Sequence, residues 1–575
     1  MLSSKKMIIV AAIARCDAWH HQGQYIRGGN VRCSKVLTPL RSSTGEDSWV
    51  VALNENEGKD LAQDIWAKRD DLPEDPARTA NRVFLEWLST NGVYISEASN
   101  WGEAPHPLGL SGETYDENND NEASGRGLIA RKGVNDADQL FGIPLSLCLT
   151  KETARKELGK DVIPAATSEY IAIALLLCHE RFVKGPESFW WPYFQVLPET
   201  ADVNPSYTWS EEELTLLEGS PAIKATRSMQ NKLRQEYATL FDPDGGLFTQ
   251  RPDMFPGADA SREESGGPAA PFSFANFEWA FCMLFSRAIR LERLSKGEAV
   301  ALVPYADLIN HSPFSTAYIS AQPGKKDRWF GDEPDLVVLY ADRAFKKMEQ
   351  LFISYGQKSN AELLLLYGFA LDRNPFNSVE ISLGLKRDEL DDPDGSLYRE
   401  KLAVLVESGR SNEQGQGLTF PLYNDRYPNE LLECLRLLCL RTEDVTRSRT
   451  KERVPLPSIR LTTPVNDVNE ALVFEAIIES CEVALVRYPT SEDDDTALVA
   501  DRFMFSALPV TSRNAIRLRR SEKRLLKRTI ASAERRLIEI TSGGGEASVE
   551  EKFKPWLEKK TMLDGILDDI GVDLK

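Results

Sequence analysis

Four short segments of the chain gather groups that could do chemistry. Ser124-Gly125-Arg126-Gly127-Leu128 places two glycines at alternate positions ahead of a strand-like run, which lets backbone approach a ligand closely. Alone, such a segment also fits a hairpin turn, and it lacks the GxGxxG-then-helix context of a dinucleotide fold. Ser286-Arg287-Ala288 follows a long apolar helical run, where Arg287 by itself reads as a salt-bridge residue. Val303 to Ser312 (VPYADLINHS) sets Asp307, Asn310 and His311 within five residues, a concentration of hydrogen-bonding capacity in an apolar stretch. A metal at His311 would need further convergent ligands, and no helical or CxxC spacing offers them. A catalytic triad would need a nucleophile elbow such as GxSxG, which this segment lacks. Ile353 to Phe369 (ISYGQKSNAELLLLYGF) reads as strand, tight turn and helix, with Tyr355 and Tyr367 each followed by glycine. The plain alternative there is two core tyrosines.

The elements that must position these groups are legible in part. Ala80 to Leu88 has apolar residues at helical spacing and stops at Asn91-Gly92; Val93 to Ile95 reads as a strand. Residues 99–124 are Gly-, Pro- and acid-rich without periodicity and predict a loop, as do residues 242–271. Gly127 to Ala130 and Gln139 to Ile143 read as strands. Ser168 is a candidate N-cap for a helix over Tyr170 to Phe182 that is apolar nearly all round, and Ser210 begins another. Phe274 to Leu291 predicts one long helix ended by Ser295-Lys296-Gly297. Strands follow at Leu336 to Tyr340 and Leu351 to Ser354, then a helix from Asn360 to Tyr367. Beyond residue 380 strand signals fade, and Glu430 to Leu440, Val468 to Tyr488 and Ser512 to Thr541 read as helices. The last carries ten bases and two acids between Arg513 and Arg536, either for internal salt bridges or to dock an acidic protein surface.

Composition sets the outer limits. The chain has 575 residues, 42% of them hydrophobic, and a formal net charge of −19. That is a globular composition, and its sign argues against broad phosphate binding, so no nucleic-acid partner is expected. Eight scattered cysteines do not make a disulfide scaffold or a structural zinc site, and no metal is expected. The longest apolar runs beyond the N-terminus fall well short of a membrane span. At the N-terminus, Lys5-Lys6 precedes an apolar run from Met7 to Ala14 and small residues at Cys16 and Ala18, which predicts a signal peptide over 1–18. Residues 19–45 carry Arg, Lys, Ser and Thr without an acid, the composition of a transit segment. The pair predicts a plastid address, the alternative being an unstructured tail with a chance apolar patch.

Taken together and in order, the segments resemble the SET-domain methyltransferases of the Rubisco large-subunit methyltransferase type. The GxGL strand, the SRA helix end, DxxNH and YG-x-x-SNAEL-x-x-x-YGF are all present. Flanking matches include Ser188-Phe189-Trp190, Pro192-Tyr193 and Trp209-Ser210-Glu211-Glu212, and in the C-terminal half Leu435-Arg436 and Tyr488-Pro489-Thr490-Ser491. The resemblance runs over about residues 80–530. It implies an α+β fold: a β-rich pseudoknotted SET domain over 78–378 with a helical insert at about 150–270, then an all-α substrate-binding domain over 379–545. An acidic linker (46–77) and a tail (546–575) would flank them. The implied cofactor is S-adenosyl-L-methionine, touched by Ser124, Gly125, Arg126, Gly127, Ser286, Arg287, Asn310 and His311, with Asp307 bracing its segment. Tyr355 takes the catalytic tyrosine's place and Tyr367 lines the substrate channel. The implied activity is protein-lysine N-methylation, on Rubisco large subunit or another stromal enzyme such as aldolase. Two alternatives stay open: a methyltransferase of actin histidine or another cytosolic or nuclear protein, and a non-catalytic SET-fold module that binds a protein.

Overall fold

The computed structural model describes residues 76–93 and 108–541, less 117–118, 120–121, 131–132, 243, 256–269, 325–332, 413, 416, 425 and 447–451, together with the pairs 40–41 and 47–48. The presequence and the 546–575 tail fall outside these residues, apart from the two pairs, as do most of the acidic linker, residues 94–98, and residues 99–107 and 256–269 of the two expected loops. The chain divides into Met1–Pro76 and Ala77–Lys575, and the second unit is the one described below.

Helix α1 (Pro76–Thr90) buries Phe84 and Leu88 and ends at Gly92, whose φ of +75° suits a glycine. Val93 joins no strand, and its two successors lie outside the described residues. The stretch expected to be a loop before the glycine segment instead carries three short strands: β1 (Leu108–Ser111), β2 (Tyr115–Asp116) and β3 (Glu122–Ala123). β1 pairs antiparallel with β4 (Gly127–Ala130), and β2 with β3. Strands this short carry too little alternation to show a period of two, so composition alone suggested a loop. β5 (Gln139–Pro144) falls where expected.

A helical insert follows, with α2 (Lys151–Glu157), α3 (Glu169–Cys178) and α4 (Ala222–Leu240) among its elements. Every residue of α3 from Tyr170 to Cys178 is buried, which explains its unbroken apolar sequence. Ser168 sits at its N-cap, but its hydroxyl makes no capping bond. Ser210 does cap, in a reciprocal box with Glu213. α5 runs only over Phe274–Arg287. The predicted continuation to Leu291 is strand β7 (Ile289–Leu294), which turns back into β8 (Gly297–Leu302) and forms a three-stranded sheet with β6 (Leu149–Thr150). The burial of β7 fits a half-exposed strand: Leu291 and Leu294 face the core, Arg290 and Glu292 face out.

β9 (Asn310–His311) pairs in parallel with β12 (Phe352–Ile353). Just ahead of β12, Leu351 N–H donates to Leu128 O and Ala130 N–H to Glu349 O. Residues 349–353 therefore lie between β4 and β9, the neighbourhood expected of the SET pseudoknot. β10 (Ser320–Gln322) and β11 (Leu336–Tyr340) complete a second three-stranded sheet with β5. Helix α6 (Asn360–Tyr367) then closes this half.

One hydrophobic cluster draws on residues from Phe84 to Leu371, and another on residues from Val379 to Ala533. The second half is helical as expected, through α7 (Ser396–Glu407), α8 (Asn429–Leu438), α9 (Asp467–Val486), α10 (Glu492–Ala500) and α11 (Val510–Thr541). One ladder is added to it, β13 (Ser378–Leu383) with β14 (Leu418–Tyr423). The bases of α11 turn inward to acids of this chain. Arg513 and Arg517 reach Glu122, Arg520 reaches Asp372, Lys523 reaches Asp495, and Arg524 reaches Glu492. Of the two readings of this basic helix, internal pairing holds for these five. Among the described residues, no helix is long and apolar enough to cross a membrane.

Candidate active site

The site is built where the four segments meet. Ser359 caps α6 in a reciprocal box with Glu362, and Gly368 ends the helix at φ +76°. A Cβ on Gly368 would stand 1.7 Å from Val203 O, so only glycine fits after Tyr367. Asn360, fully buried, fastens the far side: it donates to Leu371 O at 2.9 Å and accepts from Leu371 N–H at 3.1 Å. The SNAEL-x-x-x-YGF run is thus a device that starts and stops one short helix and fixes the Tyr367 ring.

Three rings stack in series. His311 lies 5.0 Å from Tyr355 with planes 24° apart, and Tyr355 lies 4.9 Å from Tyr367 with planes 26° apart. Phe369 packs against both ends, 6.3 Å from His311 and 6.2 Å from Tyr367. The Tyr355 hydroxyl donates to Ile309 O at 2.7 Å. The Tyr355 N–H donates to His311 Nδ1 at 3.1 Å, so Nδ1 is an acceptor and the neutral ring carries its proton on Nε2. Burial, with the Lys358 charge, lowers the His311 pKa to about 4. Burial raises that of Tyr355 to about 12, with the Arg287 charge opposing and the Asp307 charge adding. At neutral pH both groups are uncharged.

Asp307 is buried under this stack. Tyr193 OH donates to its carboxylate, Arg287 Nη1 donates to its backbone O at 2.8 Å, and the same Nη1 is 4.0 Å from Oδ2. Burial raises the Asp307 pKa to about 6 against the pull of Arg287. The preceding Tyr305 holds φ +78° and ψ −47°, a γ-turn conformation rare for a bulky residue, which aims the Asp307 turn. Arg287 Nε is buried with no hydrogen-bond partner among the described residues. The Ser286 hydroxyl donates to Cys282 O at 2.6 Å within its own helix.

The glycine segment closes the other wall. Gly125 takes φ +73°. A Cβ on Gly127 would come within 2.8 Å of both Asn310 Nδ2 and Thr114 Cγ2. Asn310 Nδ2 donates to Thr114 Oγ1 at 2.8 Å, and Thr114 Oγ1 meets Ser124 Oγ at 3.0 Å. Arg126 turns toward α1, with Nε 3.4 Å from Asn81 Oδ1. Thr114 and Tyr193 are the residues the sequence reading left without a role. Tyr193 stood in a recognised flank, while Thr114 lay in the supposed loop.

Arg287 keeps 18% of its side chain accessible beyond its bond to Asp307 O, and the missing side chain at Gly127 lets that backbone close against Asn310 and Thr114. The donor set fits a zwitterionic ligand with a carboxylate. Among the described residues no group of three or more metal-ligating side chains converges.

The Rubisco LSMT substrate-binding family matches residues 392–526. The chloroplastic [fructose-bisphosphate aldolase]-lysine N-methyltransferase of Arabidopsis thaliana is 27% identical over 82% of this chain and 85% of its own length. The chloroplastic ribulose-1,5 bisphosphate carboxylase/oxygenase large subunit N-methyltransferase of Pisum sativum is 28% identical over 80% and 83%. The crystal structure of the SET domain of LSMT bound to lysine and AdoHcy superimposes with a TM-score of 0.61 at 25% identity, over 86% of this chain and 96% of that one. In sequence, in fold and in its carboxy-terminal region, the chain is similar to the SET-domain protein methyltransferases of the Rubisco large-subunit methyltransferase type.

Proposed function

We propose that this protein transfers methyl groups from S-adenosyl-L-methionine to a lysine of a plastid protein, with Rubisco large subunit or aldolase as the leading acceptors. The observation that carries the chemistry is the stack of His311, Tyr355 and Tyr367, a wall of rings that are uncharged at neutral pH. The cofactor, when bound, would supply an electrophilic methyl on a sulfonium: the lone pair of a neutral lysine amine would attack that carbon in line, the carbon–sulfur bond breaking to release the neutral thioether, and the methylated ammonium would lose its proton to solvent.

The chain's residues do the rest. Arg287 would hold the cofactor's carboxylate through the accessible part of its side chain. Ser124, Gly125, Arg126 and Gly127 offer backbone and side chains along its length, and Asn310 and His311 border it. Asp307 anchors Arg287 and the 307–311 segment from beneath. The Ser286 hydroxyl donates within α5, and its oxygen remains able to accept. Tyr355 keeps its proton at working pH, so its hydroxyl orients the amine and contacts the polarised methyl hydrogens without acting as a base. Tyr367 walls the acceptor channel. Removing the ammonium from water beside a cationic cofactor favours its neutral form. His311 is the wrong group for a base here, since Nδ1 already accepts from Tyr355 and Nε2 carries the proton. Alignment then supplies the acceleration, the amine being held at near-attack distance.

The plastid acceptor is favoured by the chloroplastic relatives and by the transit-like composition of residues 19–45. A histidine acceptor is favoured by another relative, the human actin-histidine N-methyltransferase, 26% identical over 71% of this chain and 64% of its own length. Incubation with methyl-labelled cofactor and separate plastid, cytosolic and nuclear extracts decides between them. One labelled stromal protein modified on lysine supports the proposal. Label on a cytosolic or nuclear protein removes the plastid address. A protein that neither binds the cofactor nor labels anything is a binding module.

A further inference from the structure

Both walls of the site are tied to one face of α11, a helix that lies outside the SET part of the chain. Arg517, almost wholly buried, forks onto Glu122: Nη1 donates to Oε2 at 3.0 Å and Nη2 to Oε1 at 2.6 Å. Its Nε is 3.5 Å from Asp372 Oδ2, and Arg520 Nη2 donates to Asp372 Oδ1 at 2.7 Å. On the same helix, Asn514 brackets the turn after Tyr367, donating to Gly368 O at 2.8 Å and accepting from Ala370 N–H at 3.2 Å. Asn119 joins the two walls directly, through Ala370 O at 3.0 Å and Asp372 N–H at 2.9 Å.

From Glu122 the path to the reacting centre is short. Glu122 ends two residues before Ser124, whose N–H donates to Thr114 O at 2.8 Å. Thr114 in turn holds Asn310. From Asp372 and Gly368 the path leads back to Tyr367 and so to the ring of Tyr355. A guanidinium that bridges two carboxylates fixes their separation, because its donors form a rigid planar fork.

We propose that Arg517 is a positioning residue for methyl transfer: by bridging Glu122 and Asp372 it sets the spacing between the cofactor wall and the acceptor wall. The carboxy-terminal helical region thereby becomes part of what determines cofactor affinity. This rests on the methyltransferase reading above.

The test compares wild type with Arg517→Lys, Arg517→Gln, Glu122→Gln and the Arg517→Gln/Glu122→Gln double variant. Melting temperature, cofactor dissociation constant by calorimetry, and kcat and KM for the acceptor protein are measured for each. The two Gln variants are expected to bind cofactor about tenfold or more weakly and to lose kcat by about tenfold to a hundredfold, with the acceptor KM little changed. The double variant should fall no further than the worse single one, since both remove the same contact. Arg517→Lys should restore melting temperature more than cofactor affinity, an ammonium being unable to span both oxygens. If Arg517→Gln does not fold, Glu122→Gln answers the same question. Folded variants that melt earlier yet bind cofactor and turn over like wild type overturn the proposal. Wild type that neither binds cofactor nor transfers methyl overturns the methyltransferase reading, and the proposal with it.

Discussion

Gly127 leaves no room for a side chain. Any side chain there displaces Asn310 or Thr114, since both stand 2.8 Å from the place a Cβ would occupy. Gly127→Ala is therefore expected to cost about 1–3 kcal/mol of stability from overpacking, and to weaken cofactor binding measurably by calorimetry. Unchanged affinity would mean that the Thr114–Asn310 contact does not shape the pocket. Individual residues were legible wherever a motif packed them close in sequence, as with Asp307, Asn310, His311, Tyr355 and Tyr367. Thr114, Tyr193 and Glu122 were not given roles, because their partners lie 196, 114 and 395 residues away. No local spacing marks such contacts. Ser286 shows the reverse case, a motif residue whose hydroxyl donates to a carbonyl only four residues back in its own helix.

Helices announced themselves through caps and apolar faces, and the short strands at 108–111, 115–116 and 122–123 did not. α6 is the clearest case, with Ser359, Glu362 and Gly368 each where capping requires them. The 289–294 strand was absorbed into the preceding helix because its apolar residues at 289, 291 and 294 also fit a helical period. α11 shows what composition cannot say. Its basic face reads equally as a docking surface, and only the positions of Glu122, Asp372, Asp495 and Glu492 decide. Lys523, nearly inaccessible, lies 2.7 Å from Asp495 and donates to Thr490 O and Ser491 O at 2.8 Å each. Asp495→Ala leaves that ammonium without its counter-charge, and chemical denaturation should show a loss of about 3–5 kcal/mol. A loss below about 1 kcal/mol, the range of exposed pairs, would contradict the pairing.

At the scale of the whole molecule, Glu522 joins the two halves. Wholly buried on α11, it accepts from Ser220 Oγ of the insert at 2.9 Å and from Tyr488 OH at 3.0 Å. Burial raises its pKa to about 7, with Glu380 adding to the effect against the two hydrogen bonds and Arg519. Between about pH 4.5 and 7 the folded state keeps a proton that the unfolded state has released, so stability falls as pH rises through that window. His311 works in the opposite sense: its folded pKa of about 4 lies below the ordinary 6.5, so its contribution rises with pH between those values. Comparing wild type with Glu522→Gln cancels the shared His311 term. The stability of the variant relative to wild type should grow by on the order of 3 kcal/mol from pH 4.5 to pH 8. A difference that stays flat with pH would show that Glu522 is ionised throughout. The proposed reaction is methyl transfer to lysine controlled by Tyr355. The most direct measurement incubates the protein with methyl-labelled S-adenosyl-L-methionine and purified aldolase or Rubisco, followed by amino-acid analysis of the labelled acceptor. Label recovered as methyllysine, and cut about a hundredfold or more in a Tyr355→Phe variant that still binds cofactor, is the predicted result. Label recovered as methylhistidine, or methyllysine formed equally well by the variant, would contradict it.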